Sequence, residues 1–415
     1  MTGVERPRAA ARRDTNRRLS LYRLLDPAVL ANPYPLYQRL RSEAPVYWDP
    51  FLHAWIVTRY DDVVRVLTNF SATCAPSPEQ LTALGMEALT PVAEVLVRQM
   101  LFLDPPAHTR VRRLAAKAFT PRRVEVLRGH ITDIVERLLD AVQDQGSMDI
   151  IADLARPLPA IVSAEMLGLP PEDWPQLTAW SRAFAEILGN FQHDPESAAR
   201  VLRSVKEMTA YFRQAIHDQA DNPRDGLLSA LMNAEVDGDR FSEEEVIANT
   251  IITMVGGQET TTNLIGNGIL SLLGRPDQWE RLKAEPALVS SAVEELLRYE
   301  SPSQHTARLA PDDTEIGGNV IRKRDGVIAV LGAANRDPAQ FAEPDRLDLG
   351  RADNHHVAFG WAAHFCFGAS LARIEGQQAF GSLARRMGDM RLTPEPLTWR
   401  PNLGLRGLDA LPVEF

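Results

Sequence analysis

The chain has 415 residues, 45% of them hydrophobic and 24% charged, which is enough to bury a large core. Its formal net charge of −10 argues against nucleic acid as a partner, because phosphate binding needs a basic surface. The two cysteines, Cys74 and Cys366, exclude a disulfide framework and favour a reducing, cytoplasmic location, although one bridge between them remains open. No window reaches the ~18 apolar residues of a membrane helix, so we expect no membrane anchor.

The N-terminal residues 1–20 are rich in arginine, and the apolar stretch that follows them is interrupted by Arg23. A secretory signal needs an uninterrupted apolar region, so this segment is predicted to be a mobile leader and not an export signal. The remaining residues, 21–415, contain neither an internal repeat nor a Gly/Ser linker. We therefore expect them to form a single domain.

Hydrophobic periodicity predicts a mainly α-helical chain with two small β regions. Aromatic and β-branched residues alternate over residues 45–58, which predicts a β-hairpin. Helical periodicity is found over residues 107–119, 122–145, 172–190, 195–220, 243–273 and 277–300. Short strands are expected over residues 304–332, and a last helix is expected from Gly368 past Arg385. Residues 70–104 are predicted to be a long irregular segment, of the kind that binds a ligand or is disordered.

The sharpest local signal is the segment Phe359–Gly368, with the sequence FGWAAHFCFG, which is followed shortly by Leu-Ala-Arg at 371–373. Cys366 lies two residues before the predicted helix start, where unpaired backbone amides and the helix dipole would stabilise a thiolate. From the residues alone, a buried structural cysteine or a zinc site remains open. The further zinc ligands would be His355, His356 and His364. A c-type haem is excluded because the chain has no CxxCH sequence.

This segment resembles the cysteine loop of the cytochrome P450 superfamily, and further resemblance extends along the chain from about residue 27. The resemblance implies a cytochrome P450-like haem-thiolate fold in which Cys366 is the axial ligand of the iron of haem b. One residue departs from the family pattern, since Ala362 stands where glycine is usual. Alanine there costs free energy if the backbone requires a positive φ.

A second motif is the Glu295-Leu-Leu-Arg298 sequence, in which opposite charges lie on one helix face. Alone, this pattern is typical of a solvated ion pair. Together with Cys366 it resembles the structural Glu-x-x-Arg motif of the family, whose third member would be Arg346. We expect this network to stabilise the fold around the haem and to take no part in catalysis.

A third motif, Gly256-Gly257-Gln258-Glu259-Thr260-Thr261, lies within a long predicted helix. Two glycines there cost about 1 kcal/mol each relative to alanine, so the helix needs a reason to carry them. Close helix packing is one reason, and a local opening over the iron is the other. Glu259 and Thr260 resemble the family's acid–alcohol pair, which implies a catalytic role in proton delivery.

A fourth signal is a set of basic residues. His108 and Arg112 lie at i and i+4 on one helix face, and the resemblance implies that they bind haem propionates with Arg308 and His364. Singly, each is typical of a surface cation. The opposite face of the same helix carries Arg110, Arg113 and Lys117. That face is either merely solvated or a docking patch for an acidic electron-transfer protein.

The resemblance implies a monooxygenase that inserts one atom of O2 into a C–H bond of a small hydrophobic substrate. Electrons would come ultimately from NAD(P)H through a ferredoxin or flavodoxin-type partner, because the chain shows no reductase domain. The substrate walls would come from residues 70–104, 172–200, the helix before Gly256, and residues 303–306. A peroxygenase and a non-catalytic haem sensor are the alternatives. We further expect a monomer.

Overall fold

The computed structural model describes residues 19–189 and 195–415. Most of the predicted leader, residues 1–20, lies outside these ranges. Its last two residues, Leu19 and Ser20, are buried, and the Ser20 hydroxyl donates a hydrogen bond of 2.7 Å to Asp49. Among the described residues, no helix combines the length and the apolar character needed to cross a membrane.

The fold is mainly α-helical, which confirms the predicted class. The described α-helices span Pro27–Ala31, Tyr34–Glu43, Tyr60–Asn69, Pro78–Ala83, Thr90–Leu96, Ala107–Ala118, Pro121–Asp140, Pro157–Leu167, Trp174–Ala185, Pro195–Asp221, Leu227–Met232, Glu243–Leu273, Pro276–Ala284, Val289–Tyr299, Leu331–Ala334 and Ala369–Arg386. The helix Glu243–Leu273, called the long helix below, begins with a capping box in which Ser242 and Glu245 satisfy each other's backbone amides.

The strands form small sheets at the edge of the helical body. A four-stranded sheet has the order Val46–Asp49, Ala54–Val57, Gly326–Ala329 and Thr306–Leu309, and only its central pair is parallel. A three-stranded sheet joins Arg391–Leu392, Pro412–Glu414 and Ser147–Asp149. Two hairpins complete the strands, and they pair Glu235–Val236 with Asp239–Arg240 and Thr314–Ile316 with Asn319–Ile321.

The long helix lies at the centre of the core, and most of its side chains are buried. The helices Pro157–Leu167, Trp174–Ala185 and Ala369–Arg386 contact it along its length. The helix Ala369–Arg386 also contacts Pro121–Asp140 and Val289–Tyr299. This arrangement places the start of Ala369–Arg386, and therefore the cysteine before it, beside the middle of the long helix.

Three sequence-based assignments differ from the structure. Residues 70–104 are not irregular throughout, because Pro78–Ala83 and Thr90–Leu96 are helical. A capping box at Ser77 starts the first of these helices, and burial of four apolar residues stabilises the second. The predicted helix 277–300 is interrupted by a 3₁₀ turn at Pro286, since proline cannot supply the backbone amide of a helix interior. The helix Pro157–Leu167 was not predicted, because it is apolar on all sides and lacks amphipathic periodicity.

Candidate active site

The cysteine loop lies at the start of the helix Ala369–Arg386. The backbone N–H of Cys366 donates to the carbonyl of Phe359 at 2.8 Å and closes the loop. Ala362 has φ of 53°, so the residue that departs from the family pattern does adopt a left-handed conformation. Burial raises the pKa of the Cys366 thiol, whereas the N–H of Gly368 and the guanidinium of Arg112 act in the opposite direction. The loop alone does not stabilise the thiolate form of Cys366. A bound metal cation would supply the positive charge that does so.

The four predicted propionate-binding residues come together beside this loop. The rings of His108 and His364 lie 4.2 Å apart, and Arg112 donates to the carbonyl of Phe365 at 2.6 Å. Burial, together with the neighbouring His108 and Arg308, lowers the pKa of His364 to about 4. Burial and the nearby Arg112 also lower the pKa of His108. All four side chains therefore lie close enough to interact electrostatically.

This cluster fits a prosthetic group with carboxylates. His108 Nε2 and Arg308 Nε are buried, and neither has a hydrogen-bond partner within the described ranges. Burial lowers the pKa of Arg308. Buried donor atoms without an acceptor are costly, so the site lacks an acceptor that a propionate would provide. The unsatisfied donors of these two residues therefore fit the carboxylates of a haem.

The long helix has one partly exposed face. Ile252, Gly256 and Thr260, spaced by four residues, are not buried although most of this helix is. A Cβ added at Gly256 would meet nothing within 4 Å, and one at Gly257 would make an ordinary contact of 3.5 Å with Ser163. Close packing therefore does not explain the two glycines. The helix stays α-helical through them, and Thr260 Oγ donates to the Gly256 carbonyl at 2.6 Å. The predicted opening is an open space beside the helix and not a break in it.

Glu259 lies next to Thr260 but is buried, with 5% of its surface exposed. It forms an ion pair with Arg400, a residue of the C-terminal hairpin in which Trp399 bridges to Leu408. Sequence reasoning missed Arg400, because it lies 141 positions away in the chain and has no motif of its own. The carboxylate of the predicted acid–alcohol pair is therefore held by a partly buried cation.

The Glu-x-x-Arg motif is formed, but its third member differs from the prediction. Arg298 and Glu295 make two hydrogen bonds of 2.8 Å, and both side chains are fully buried. The second guanidinium on Glu295 is that of Arg351, whose Nε lies 3.1 Å from Oε2. Arg346 instead contacts Glu343 and is 60% exposed, so the assignment of Arg346 was wrong. Only the backbone carbonyl of Arg346 joins the network, at 3.1 Å from Arg298.

A buried carboxyl that the sequence did not reveal lies on the helix behind the cysteine. Glu375 is 1% exposed and faces Thr261 of the long helix, whose hydroxyl is its side-chain hydrogen-bond partner. Burial, which the hydrogen bond with Thr261 offsets only in part, raises the pKa of Glu375 to about 8. Position 375 reads as an ordinary helical glutamate in sequence, so only its packing identifies it.

The predicted docking face is largely neutralised by the chain itself. Arg110 pairs with Asp239 at 2.8 Å and with Glu245 at 2.6 Å. Arg113 pairs with Asp237 at 3.1 Å. A basic face whose arginines already contact carboxylates offers little net positive charge to an acidic partner.

The zinc interpretation finds no support in the described ranges. No group of three or more His, Cys, Asp or Glu residues there could hold a metal ion. His356 contacts Glu294 at 3.2 Å, and His355 lies 3.4 Å from Asp353. Both cysteines are free, so the open possibility of a bridge is not realised.

Similarity to known proteins covers most of the chain. The family model described as Cytochrome P450 matches residues 85–387. Polyketide biosynthesis cytochrome P450 PksS of Bacillus subtilis is 39% identical over 398 residues, covering 92% of this chain and 96% of that protein. Biotin biosynthesis cytochrome P450 of the same organism is 38% identical over 389 residues, covering 93% and 97%. The crystal structure of P450BioI with hexadec-9Z-enoic acid ligated acyl carrier protein matches with a TM-score of 0.88 and 38% identity, covering 94% of this chain and 99% of that chain.

Proposed function

Since the chain belongs to the cytochrome P450 family and is a haem-thiolate monooxygenase, we propose specific roles in that chemistry for the residues assembled above. Cys366 is the axial ligand of the iron of haem b. His108, Arg112, Arg308 and His364 bind the propionates. The observation that carries this assignment is the pair of buried donors, on His108 and Arg308, that have no acceptor within the described ranges. When bound, haem supplies oxygen activation, which leads to insertion of one oxygen atom into a C–H bond and release of the other as water.

Glu259 and Thr260 are the residues that handle protons. Thr260 presents its hydroxyl on the exposed face of the long helix, where it can hold a water or an oxygen atom of the reacting group. Glu259 is one residue away and reaches the C-terminal hairpin through Arg400. A carboxylate in this position relays protons from the hairpin side to the Thr260 side. This pair favours the monooxygenase over a peroxygenase, which receives both protons with hydrogen peroxide and needs none from solvent.

Hydrogen bonds that link the predicted wall segments support placing the substrate at this exposed face. The amide of Asn249, on the long helix, accepts from Met100 N–H at 2.9 Å and donates to the Arg98 carbonyl at 3.0 Å. The C-terminal hairpin links two further walls, since Asn402 donates to the Ala185 carbonyl at 2.8 Å and Gln304 N–H donates to the Gly404 carbonyl at 2.8 Å. The substrate is a small hydrophobic molecule. A fatty acyl or polyketide chain fits best, given the names of PksS and of the P450BioI complex.

Electrons come from NAD(P)H through a separate ferredoxin or flavodoxin-type protein. The enzyme acts as a monomer in the cytoplasm, where a thiol ligand stays reduced. The absence of any long apolar helix among the described residues is compatible with this location.

The ligand assignment is tested by the spectrum of the reduced protein under carbon monoxide. We expect the strongly red-shifted Soret band of a thiolate-ligated haem, its loss in Cys366→Ala and its displacement in Cys366→His. Cys74→Ala is the matched control and should keep the band, because Cys74 is the second free thiol of the chain. If Cys366→Ala kept the band, the ligand would be another residue and the assignment would be wrong.

A further inference from the structure

A cavity with a volume of about 430 Å³ lies beside the C-terminal end of the long helix. Leu270, which lines it, lies about four helical turns, or roughly 21 Å, beyond Gly256. The cavity is therefore separate from the haem site. Its volume is within the range of ~300–1,000 Å³ that is typical of small-molecule sites.

The cavity floor is a rigid array of arginines and aromatic rings. The guanidinium of Arg336 lies 3.5 Å from the ring centre of Tyr34 and 3.8 Å from that of Tyr299, so it is held between two rings. Arg406 lies 3.5 Å from the ring centre of Trp399. Such stacking fixes the orientation of a guanidinium and keeps its charge in place.

The carboxylates of the cavity already pair with these two arginines. Arg406 pairs with Glu300, and its other donors contact the carbonyls of Leu30 and Ala31. Arg336 donates to the Tyr299 carbonyl and pairs with the exposed Asp345 at 3.1 Å. Both carboxylates that line the cavity are therefore engaged.

Among the three arginines that line the cavity, Arg275 is the one without a carboxylate partner in the described ranges. Its guanidinium contacts the Tyr299 hydroxyl and lies at 3.5 Å from the Ser271 carbonyl, which is the limit of a hydrogen bond. Because the Tyr299 oxygen accepts from Arg275, its own proton stays available to donate. The buried hydroxyl of Ser271 also lines the cavity. Hydrogen-bond donors thus line the cavity, while its carboxylate acceptors are already paired with Arg336 and Arg406.

We propose that this cavity binds an organic oxyanion, a carboxylate or a phosphate monoester, that carries a small apolar body. The oxyanion accepts from the guanidinium of Arg275 and the hydroxyl of Tyr299, in the charge-assisted geometry that arginine favours. The apolar body lies against Leu270, Pro35 and the face of Trp399. The site is distinct from the place of oxidation, so its ligand is an effector or a second small molecule.

The test is isothermal titration of the haem-loaded protein with benzoate, phenyl phosphate and the uncharged benzyl alcohol, at constant ionic strength. We expect one or both anions to bind with a Kd of about 1 mM or lower and the alcohol not to bind. The preferred anion identifies carboxylate or phosphate as the natural group. The Soret band should stay unchanged during the titration, because the haem site is not entered.

Variants locate the binding. Arg275→Gln should weaken the anion about tenfold or more, and Tyr299→Phe, which keeps the ring, by about threefold. Arg281→Gln is the matched control, since Arg281 pairs with Asp348 at 2.9 Å and does not line the cavity. Equal affinity in wild type and Arg275→Gln would overturn the proposal, as would no binding of either anion below about 10 mM.

Discussion

Ala362 shows how one residue can work against the loop that contains it. Its φ of 53° lies in the left-handed region, where an L-residue with a Cβ is disfavoured by roughly 1–2 kcal/mol. The residue is exposed, so no packing of its methyl group offsets this cost. The loop keeps its conformation because the Cys366 N–H bond to Phe359 and the following helix determine it.

Replacing Ala362 with glycine should therefore stabilise the folded protein. Part of the gain is lost to the greater freedom of glycine in the unfolded chain, so we expect about 0.5–1 kcal/mol. The measurement is the midpoint of thermal unfolding of the haem-loaded protein. Ala363→Gly, at an adjacent exposed position without positive φ, should destabilise slightly and serves as the control. A lower midpoint for Ala362→Gly would show that the loop is not strained at this residue.

Glu375 predicts a dependence of stability on pH. Its folded pKa of about 8 exceeds the ordinary carboxyl value, so the unfolded chain loses this proton at lower pH than the folded one. The group therefore lowers the free energy of unfolding as pH rises from about 4.5 to about 8, by up to ~1.4 kcal/mol per pH unit. Glu375→Gln cannot titrate. Its stability relative to wild type should increase between pH 5 and pH 8, as measured by thermal midpoints at each pH. Parallel curves for the two proteins would contradict a raised pKa.

Among the elements, the segment after Pro344 is fastened to the helix Val289–Tyr299 by the buried Glu295. Arg298 and Arg351 both donate to this carboxylate, and Asp348 N–H adds a bond of 2.9 Å. A buried carboxylate is stable only while its partners satisfy it. The segment leads to the cysteine loop, so the cluster fixes the chain just before Cys366, the proposed metal ligand.

Arg351→Gln should consequently cost about 1–3 kcal/mol of stability and weaken haem retention, because it removes a charged donor from a buried anion. Arg346→Gln is the matched control on the same segment. Its side chain is 60% exposed, so the expected change is within about 0.5 kcal/mol. Unfolding curves and haem content of both variants provide the measurement. An equal loss in the two variants would mean that Arg351 is not the third member of the network.

The C-terminal hairpin supplies the ion-pair partner of Glu259, one of the two residues proposed to handle protons. Arg400 is the cation on the buried Glu259, so Arg400→Gln leaves that carboxylate without its countercharge. We expect slower proton delivery and a severalfold larger share of electrons lost as hydrogen peroxide, the direction also expected for Thr260→Ala. Arg182→Gln, which removes a more exposed ion pair of 3.7 Å with Asp409 on the same hairpin, should leave coupling unchanged. The measurement is the ratio of hydrogen peroxide to product. An unchanged ratio in Arg400→Gln would mean that the ion pair between Arg400 and Glu259 is purely structural.

At the scale of the whole molecule, the net charge of −10 repels an acidic electron donor. The position of the basic surface therefore determines where such a donor can dock. Arg110 and Arg113 are paired within the chain, whereas Lys117 and Arg122 are exposed and have no ion pair in the described ranges. Both flank Phe119, whose ring lies 5.0 Å from that of Phe367, next to the cysteine. The unpaired charge therefore lies close to Cys366.

Reversing that charge in Lys117→Glu/Arg122→Glu should slow reduction by an acidic ferredoxin roughly three- to tenfold at low salt. The effect should fade as salt rises, because exposed charges are screened beyond ~10 Å at 0.1 M. The double variant Arg110→Gln/Arg113→Gln, which changes the paired face, should be reduced at the wild-type rate. Stopped-flow reduction at several salt concentrations distinguishes the two faces, and the opposite ranking would restore the paired face as the docking surface.

The sequence by itself determined the family, the fold class and the residues that come together around the cysteine. Cys366 is recognisable because thiolate ligation requires a short loop of fixed spacing before a helix, and such a loop is local in the chain. The helices with an amphipathic face were likewise visible, because their periodicity is a local property. The site roles of Glu259 and Thr260 remain predictions, resting on position in a motif.

Only the tertiary structure decided the partners that come from distant parts of the chain. Arg351 replaced Arg346 on Glu295, Arg400 was found on Glu259, and Glu375 was found to be buried, because these contacts depend on how helices and hairpins pack. The pairing of Arg110 with Asp239 likewise appeared only when the hairpin Glu235–Arg240 folded against its helix. Charge and apolarity are readable in sequence, but the strength of an ion pair and the pKa of a carboxyl depend on desolvation, which the packed fold alone determines.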